Sequence, residues 1–211
     1  MTDDVISLIV VEDHEAMRQG LELLLGRRGC VVVGSASRAD EAFDLIRERR
    51  PDVAVLDVNL PDETGVSLAR RLLADNPELG VLLYTATEDQ KTVGEALDCG
   101  ARGFALKAGP PKELIGAIRT IARGGTYFDP RLKSLIGAGR VPTSSAPILS
   151  PRERQVLDLL AKGFTGDDTA AQLFLSPLTV RTHVRNAMRK LDAHTRVHAI
   201  TLALQNGEIE I

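Results

Sequence analysis

Residues 52–65 read DVAVLDVNLPDETG, and this stretch decides the fold. Val53, Ala54, Val55 and Leu56 run without polar alternation, as in a strand covered on both faces of a parallel sheet. The run stops on an acid, Asp57. A carboxylate at the end of a buried strand is costly to desolvate unless something pairs with it. The question is what meets Asp57.

Outward from this strand, the first part of the chain alternates between two patterns. Strand-like runs are SLIVV (7–11), CVVVGS (30–35), DVAVLD (52–57), GVLLYT (80–85) and GFALK (103–107). Helical patterns lie between and after them, near 15–28, 40–49, 64–75, 89–99 and 111–123. In the first of these, Met17, Leu21, Leu24 and Leu25 take the one-face spacing of an amphipathic helix. Five βα units in series predict an α/β, flavodoxin-like, doubly wound five-stranded parallel sheet with right-handed crossovers.

The pattern changes after GGTYFDP. Residues 137–148, GAGRVPTSSAPI, have linker composition and no periodicity. From Leu149 onward everything reads as helix. SPRE (150–153) sets a capping Ser, a Pro at the first helical position and a Glu at the third. TGDD (165–168) is a second capping-box pattern, and SPLT (176–179) again puts Pro after a capping Ser. Three short helices and a fourth near 195–205 predict a small all-α domain of four helices. The expected organisation is one domain over 1–126, a linker with room for a short helix over 127–147, and a second domain over 148–211.

Composition bounds the function. A hydrophobic content of 44% and a charged content of 26% are those of an ordinary soluble domain, and no apolar run approaches a membrane span. Aromatics make up 3%, so the cores must be aliphatic. The net charge of −3 gives no global basic field, so any nucleic-acid binding needs a local patch. Cys30 and Cys99 suit no disulfide framework or metal spacing and read as buried thiols. The acidic start, MTDDV, is unlike a signal peptide, and a cytoplasmic location is expected.

Ligands of open parallel sheets sit outside the carboxyl ends of the strands. Glu12 and Asp13 follow the first strand, Asp57 ends the third, Thr85 the fourth and Lys107 the fifth. Each alone has an ordinary explanation: Asp13 as a helix cap, Thr85 as a good strand residue, Lys107 as a solvated strand end. Together they demand another, because three acids at one edge repel unless a cation or proton intervenes. The chemistry that fits is phosphoryl transfer onto Asp57. Mg²⁺ (or Mn²⁺) takes one or two carboxylates with phosphate oxygens and waters. Asp13 and Asp57 can supply those carboxylates, the Asn59 backbone carbonyl a third oxygen, and Glu12 a contact through water. Lys107 pairs with a phosphoryl oxygen. Asp57 is the nucleophile and is already ionised at neutral pH.

In these stretches the chain resembles a known family. Residues 5–125 are similar to the receiver domain of two-component response regulators, through VVEDH, VLDVNLPDETG, LYTATED and GFALKAG. The resemblance implies that Asp57 accepts a phosphoryl group from a sensor histidine kinase. It also implies that Thr85 and Phe104 move in response. Phe104 lacks the hydroxyl of the commoner Tyr, and Ala108 stands where many receivers have Pro.

Residues 149–204 resemble the LuxR-type helix-turn-helix, and the whole chain a NarL/FixJ-type response regulator. The carrying stretches are LSPRERQVLDLLAKGFT and LSPLTVRTHVRNAMRKL. In the second, Val180, Val184, Ala187 and Leu191 share one face, which should be core. Arg181, Arg185 and Arg189 recur every four residues on another, with Lys190 beside them and no acid between Ser176 and Leu191. That stripe can neutralise phosphates and reach base edges in a major groove. The resemblance adds Thr179, Thr182 and Asn186 to the double-stranded DNA contacts.

It also makes Val197, Ile200 and Leu204 of the last helix the seam of a homodimer. Departures from the pattern are Gly166, Asp167, Thr169, Leu178 and Ala187, which predict weaker or altered DNA reading. Two alternatives stay open. One is a receiver-controlled protein-interaction module, and the other a metal-dependent aspartyl-phosphate phosphatase. Against the second, Asn59 occupies the place of the acid/base Asp two residues after the nucleophile.

Overall fold

The computed structural model describes residues 5–86, 90–132 and 148–210. The first part contains β1 (Ile6–Val11), α1 (Glu15–Gly26), β2 (Cys30–Ala36), α2 (Ala39–Arg49), β3 (Val53–Asp57) and α3 (Gly65–Asp75). It continues with β4 (Gly80–Thr85), α4 (Gln90–Asp98), β5 (Gly103–Leu106), α5 (Pro111–Ala122) and β6 (Tyr127–Phe128). The strands form one parallel sheet in the order β2-β1-β3-β4-β5-β6. The order reverses between β1 and β3, the switch point at which flavodoxin-like sheets bind ligands.

The strand period of two divides the core. Ile9, Val11, Ala54, Leu56, Val81 and Leu83 face α2, α3 and α4, and Leu8, Val10, Val53, Val55 and Leu82 face α1 and α5. All five residues of β3 are buried, as a central strand requires.

Among the described residues the sheet has six strands where the sequence predicts five, and it runs two residues past the expected boundary at 126. Two residues behind Gly124 and Gly125 carry no alternation to read. They pair with Gly103 and Phe104, and the Phe128 ring stacks on Phe104 with centroids 6.2 Å apart. Asp129 fixes the segment by accepting hydrogen bonds from the Leu106 backbone (3.1 Å) and from Arg131. A 3₁₀ turn, Pro130–Leu132, follows, and the remaining linker residues, 133–147, lie outside the described residues.

Among the described residues the second part has four helices, α6 (Pro151–Ala161), α7 (Gly166–Gln172), α8 (Pro177–Leu191) and α9 (Arg196–Gln205). Both capping boxes form as the sequence predicts: Ser150 with Glu153 and Thr165 with Asp168, while Ser176 accepts from the Thr179 amide. Val156, Leu157, Leu160, Val180, Ala187, Leu191 and Ile200 build its core. Cys30 and Cys99 are buried free thiols, and burial pushes both thiols up. Among the described residues, no helix is long and apolar enough to cross a membrane.

The two parts are docked. The Thr126 hydroxyl donates to the Leu160 carbonyl (3.1 Å), and Arg196 donates to the Gly124 carbonyl (2.9 Å). Thr195 Oγ1 donates to the Leu97 carbonyl, and His198 Nδ1 lies 2.7 Å from Asp98 Oδ1. Val197 packs into the receiver-side core cluster with residues of α4. Gly125 permits this approach, since a Cβ there would stand 2.8 Å from the Gly163 carbonyl.

Candidate phosphoacceptor site and nucleic-acid face

The carboxyl ends of β1, β3 and β5 bring the expected groups together. Glu12 and Asp57 are buried, at 1% and 3% exposure, while Asp13 reaches solvent. Lys107 Nζ lies 2.8 Å from Asp57 Oδ2 and 2.7 Å from Glu12 Oε2. Burial opposes the Lys107 charge, but Asp57 and Glu12 outweigh it and hold the ammonium above its ordinary range. The Asn59 amide donates to Asp57 Oδ1 (3.2 Å), leaving the carboxylate oriented between an amide and an ammonium. Buried Thr85 follows Tyr84, which pairs with Asp57 across the sheet, and its carbonyl accepts from the Lys107 amide (2.7 Å).

Local chain geometry makes room for the acceptor. α3 begins directly against the end of β3, and the Gly65 amide donates to the Val58 carbonyl (2.8 Å). A Cβ at Gly65 would collide with the Asp57 carbonyl, so no other residue fits there without a backbone shift.

Glu12, Asp13, His14 and Asp57 each offer a ligand atom, all within 4.8 Å of one another. Three carboxylates make an oxygen-rich donor set suited to a hard divalent cation such as Mg²⁺. His14 is not singled out by its sequence pattern, although it directly follows the acid pair in VVEDH. Its ring lies 2.7 Å from Asp13 Oδ1, and Asp13, with Glu12, pushes the imidazole pKa up. Phe104 is buried and covered by Phe128 rather than turned outward. Thr87, Glu88 and Asp89 of LYTATED lie outside the described residues.

In the helical domain α8 presents Arg181, Arg185 and Arg189 to solvent while Val180, Ala187 and Leu191 turn inward. The polar neighbours are engaged locally. Thr179 Oγ1 lies 2.8 Å from the capping Ser176 hydroxyl, Thr182 donates back to the Leu178 carbonyl (3.0 Å), and Asn186 Oδ1 accepts from Arg189 (3.4 Å).

Lys190 departs from its expected place in the stripe. Its ammonium turns back to Glu153 of α6, 2.7 Å away, because that capping carboxylate is the nearer counter-charge. Leu178 is 72% exposed at the start of α8. Phe174, in the turn before it, is 96% exposed with a left-handed backbone (φ 55°). No periodicity or motif marks this apolar rim in advance.

The seam expected on α9 is not an open face. Val197 is buried against the receiver and Ile200 in its own domain's core, with Leu204 packed partly beside it. The apolar stripe exists as its spacing predicts, but it is already used within the chain. Val180, Arg181, Val184 and Arg185 look across a cavity at Glu78, Arg102 and Arg123 of the first domain.

A phosphoacceptor-type acid pocket on a flavodoxin-like sheet, joined to a helix-turn-helix, defines a response regulator with a DNA-binding output domain. The chain belongs to this family. The response regulator receiver domain matches residues 8–119, and the bacterial regulatory proteins, luxR family, match residues 147–203.

The oxygen regulatory protein NreC of Staphylococcus epidermidis is 33% identical over 217 residues, spanning 97% of this chain and 100% of NreC. A LuxR-family two-component response regulator from Aurantimonas sp. SI85-9A1 superposes with a TM-score of 0.60 at 31% identity, over 63% of this chain and 96% of that one. ChrA, the response regulator of a heme-sensing two-component system, superposes with a TM-score of 0.55 at 30% identity, over 96% of this chain and 98% of its own.

Proposed function

We propose that the chain is a phosphorylation-dependent transcription regulator of the cytoplasm. It accepts a phosphoryl group on Asp57 from a sensor histidine kinase and then binds double-stranded DNA as a homodimer. The observation that carries this reading is Lys107 bridging Asp57 and Glu12, with Asp13 in the same cluster. An Asp57 carboxylate oxygen attacks phosphorus as the P–N bond to the kinase histidine breaks, and the leaving imidazole nitrogen keeps the bonding electron pair and takes a proton from solvent. Lys107 leaves the acceptor oxygen and pairs with a phosphoryl oxygen instead. Asp13, Asp57 and the Asn59 carbonyl would hold Mg²⁺, with Glu12 reaching it through water. When bound, the ion shields charge on the phosphoryl oxygens.

The docked arrangement is the resting state in this reading. A cavity of about 620 Å³ between α8 and the receiver admits no duplex, so DNA requires the domains to separate. The same separation frees Val197 and with it the α9 seam. Phosphorylation can drive this only by interacting differently with the docked and separated states, and Thr85, at the end of β4, and Phe104, within β5, are the groups that would sense it. The test is labelling of the intact chain with acetyl phosphate and Mg²⁺, followed by intact mass. The wild type gains one phosphoryl group and Asp57→Asn gains none. Undiminished labelling of the variant would rule Asp57 out as the acceptor.

A further inference from the structure

The cavity between the domains is lined by five arginines: Arg102 and Arg123 from the receiver, Arg181 and Arg185 from α8, and Arg196 from α9. Its only acids among the described residues are Glu78 and Asp167. Glu78 is 91% exposed and pairs with Arg102 at 3.3 Å. Arg123, Arg181, Arg185 and Arg196 have no acid partner among the described residues. Arg196 donates a hydrogen bond to the Gly124 carbonyl. Burial, with Arg102 alongside, pulls the Arg196 guanidinium down to about 10.

Docking two domains through like charges is unfavourable unless something of opposite sign sits between them. The space of about 620 Å³ falls within the range of small-molecule sites. Planar guanidinium forks match phosphate oxygens in pairs, and several converging from different elements suit a chain of phosphates better than a single anion.

We infer that this cleft is a binding site for a small polyphosphate anion, either a nucleoside triphosphate or an inorganic polyphosphate, which clamps the docked state. The clamp would be independent of Asp57. Because Arg181 and Arg185 belong to both the cleft and the DNA face, bound polyphosphate excludes DNA. That second consequence rests on the reading of α8 as the DNA reader, whereas binding itself does not.

The test is calorimetry on the full chain with tripolyphosphate in one arm and ATP in the other, at fixed ionic strength, in both wild-type and Asp57→Asn backgrounds. Expected is saturable binding at one site in both backgrounds. Tighter binding of tripolyphosphate assigns the site to the inorganic anion, and tighter binding of ATP to a nucleotide. The receiver-side double variant Arg102→Gln/Arg123→Gln, which touches neither the phosphoacceptor nor the DNA face, should bind at least tenfold more weakly. Circular dichroism verifies its fold, and the single variant Arg123→Gln, at an exposed position, should weaken binding in the same direction. Absence of saturable binding in both arms overturns the proposal. So does affinity unchanged in the receiver-side variants, because the anion would then be meeting the DNA face alone.

Discussion

The ammonium of Lys107 lies 2.8 Å from the Asp57 carboxylate and shares itself with Glu12, so one cation holds two buried acids together. Removing one partner of a buried ion pair leaves the remainder uncompensated. Lys107→Ala should therefore lower stability by roughly 3–5 kcal/mol in divalent-free buffer. Mg²⁺ should restore much of that loss, giving a larger rise in Tm on adding Mg²⁺ than the wild type shows. Thermal unfolding with and without the ion checks this, and equal shifts in the two proteins would contradict it.

The three exposed arginines and the anchored lysine of α8 should part company in DNA binding. Removing a cation that neutralises one DNA phosphate reduces the slope of log affinity against log salt by about 1. Arg181→Ala and Arg185→Ala should each do so in the chain treated with acetyl phosphate. Lys190→Ala should leave the slope nearly unchanged, since its ammonium faces Glu153. A salt titration of DNA retention separates the cases.

Glu153 links the helical domain to solution pH. Burial would raise its pKa, but the Lys190 ammonium and the Ser150 amide and hydroxyl hold it below its ordinary 4.5. A depressed folded-state pKa means that the stabilisation is complete above the unfolded value. It fades as pH falls below about 4.5 toward the folded one. Glu153→Gln should lower the stability of the domain at neutral pH and flatten its loss on acidification over that range. Chemical denaturation at a series of pH values measures both effects.

Thr169 is fully buried and its hydroxyl has no hydrogen-bond partner among the described residues. An unsatisfied buried hydroxyl costs about 1–3 kcal/mol. Thr169→Val keeps the shape and removes the polar atom, so the unfolding free energy should rise by about 1 kcal/mol, read as a higher denaturant midpoint at constant slope.

Most of the sheet and the acid pocket was legible because each rests on local pattern. Buried parallel strands announce themselves as unbroken apolar runs, and Asp57, Glu12 and Lys107 sit where such runs end. The caps at Ser150, Thr165 and Ser176 were equally plain, since a cap is a four-residue event. β6 was not, because two residues have no period. Contacts that bind the halves together, such as Thr126 to Leu160 and Arg196 to Gly124, join positions 34 and 72 residues apart with no repeating signal. The direction of Lys190 was hidden for a different reason. A long flexible side chain chooses between faces by the counter-charge it finds, and Glu153 lies 37 residues away.

Val197 is seated in the receiver's own core, so a side chain that the proposed dimer seam would require is held by its own chain. A tethered competitor acts at an effective concentration on the order of millimolar, far above that of a dilute second molecule. On the proposed reading the regulator is therefore deaf to chance encounters, and its output grows with the square of the liberated fraction. On that reading a weak stimulus draws disproportionately little response, and a strong one disproportionately much.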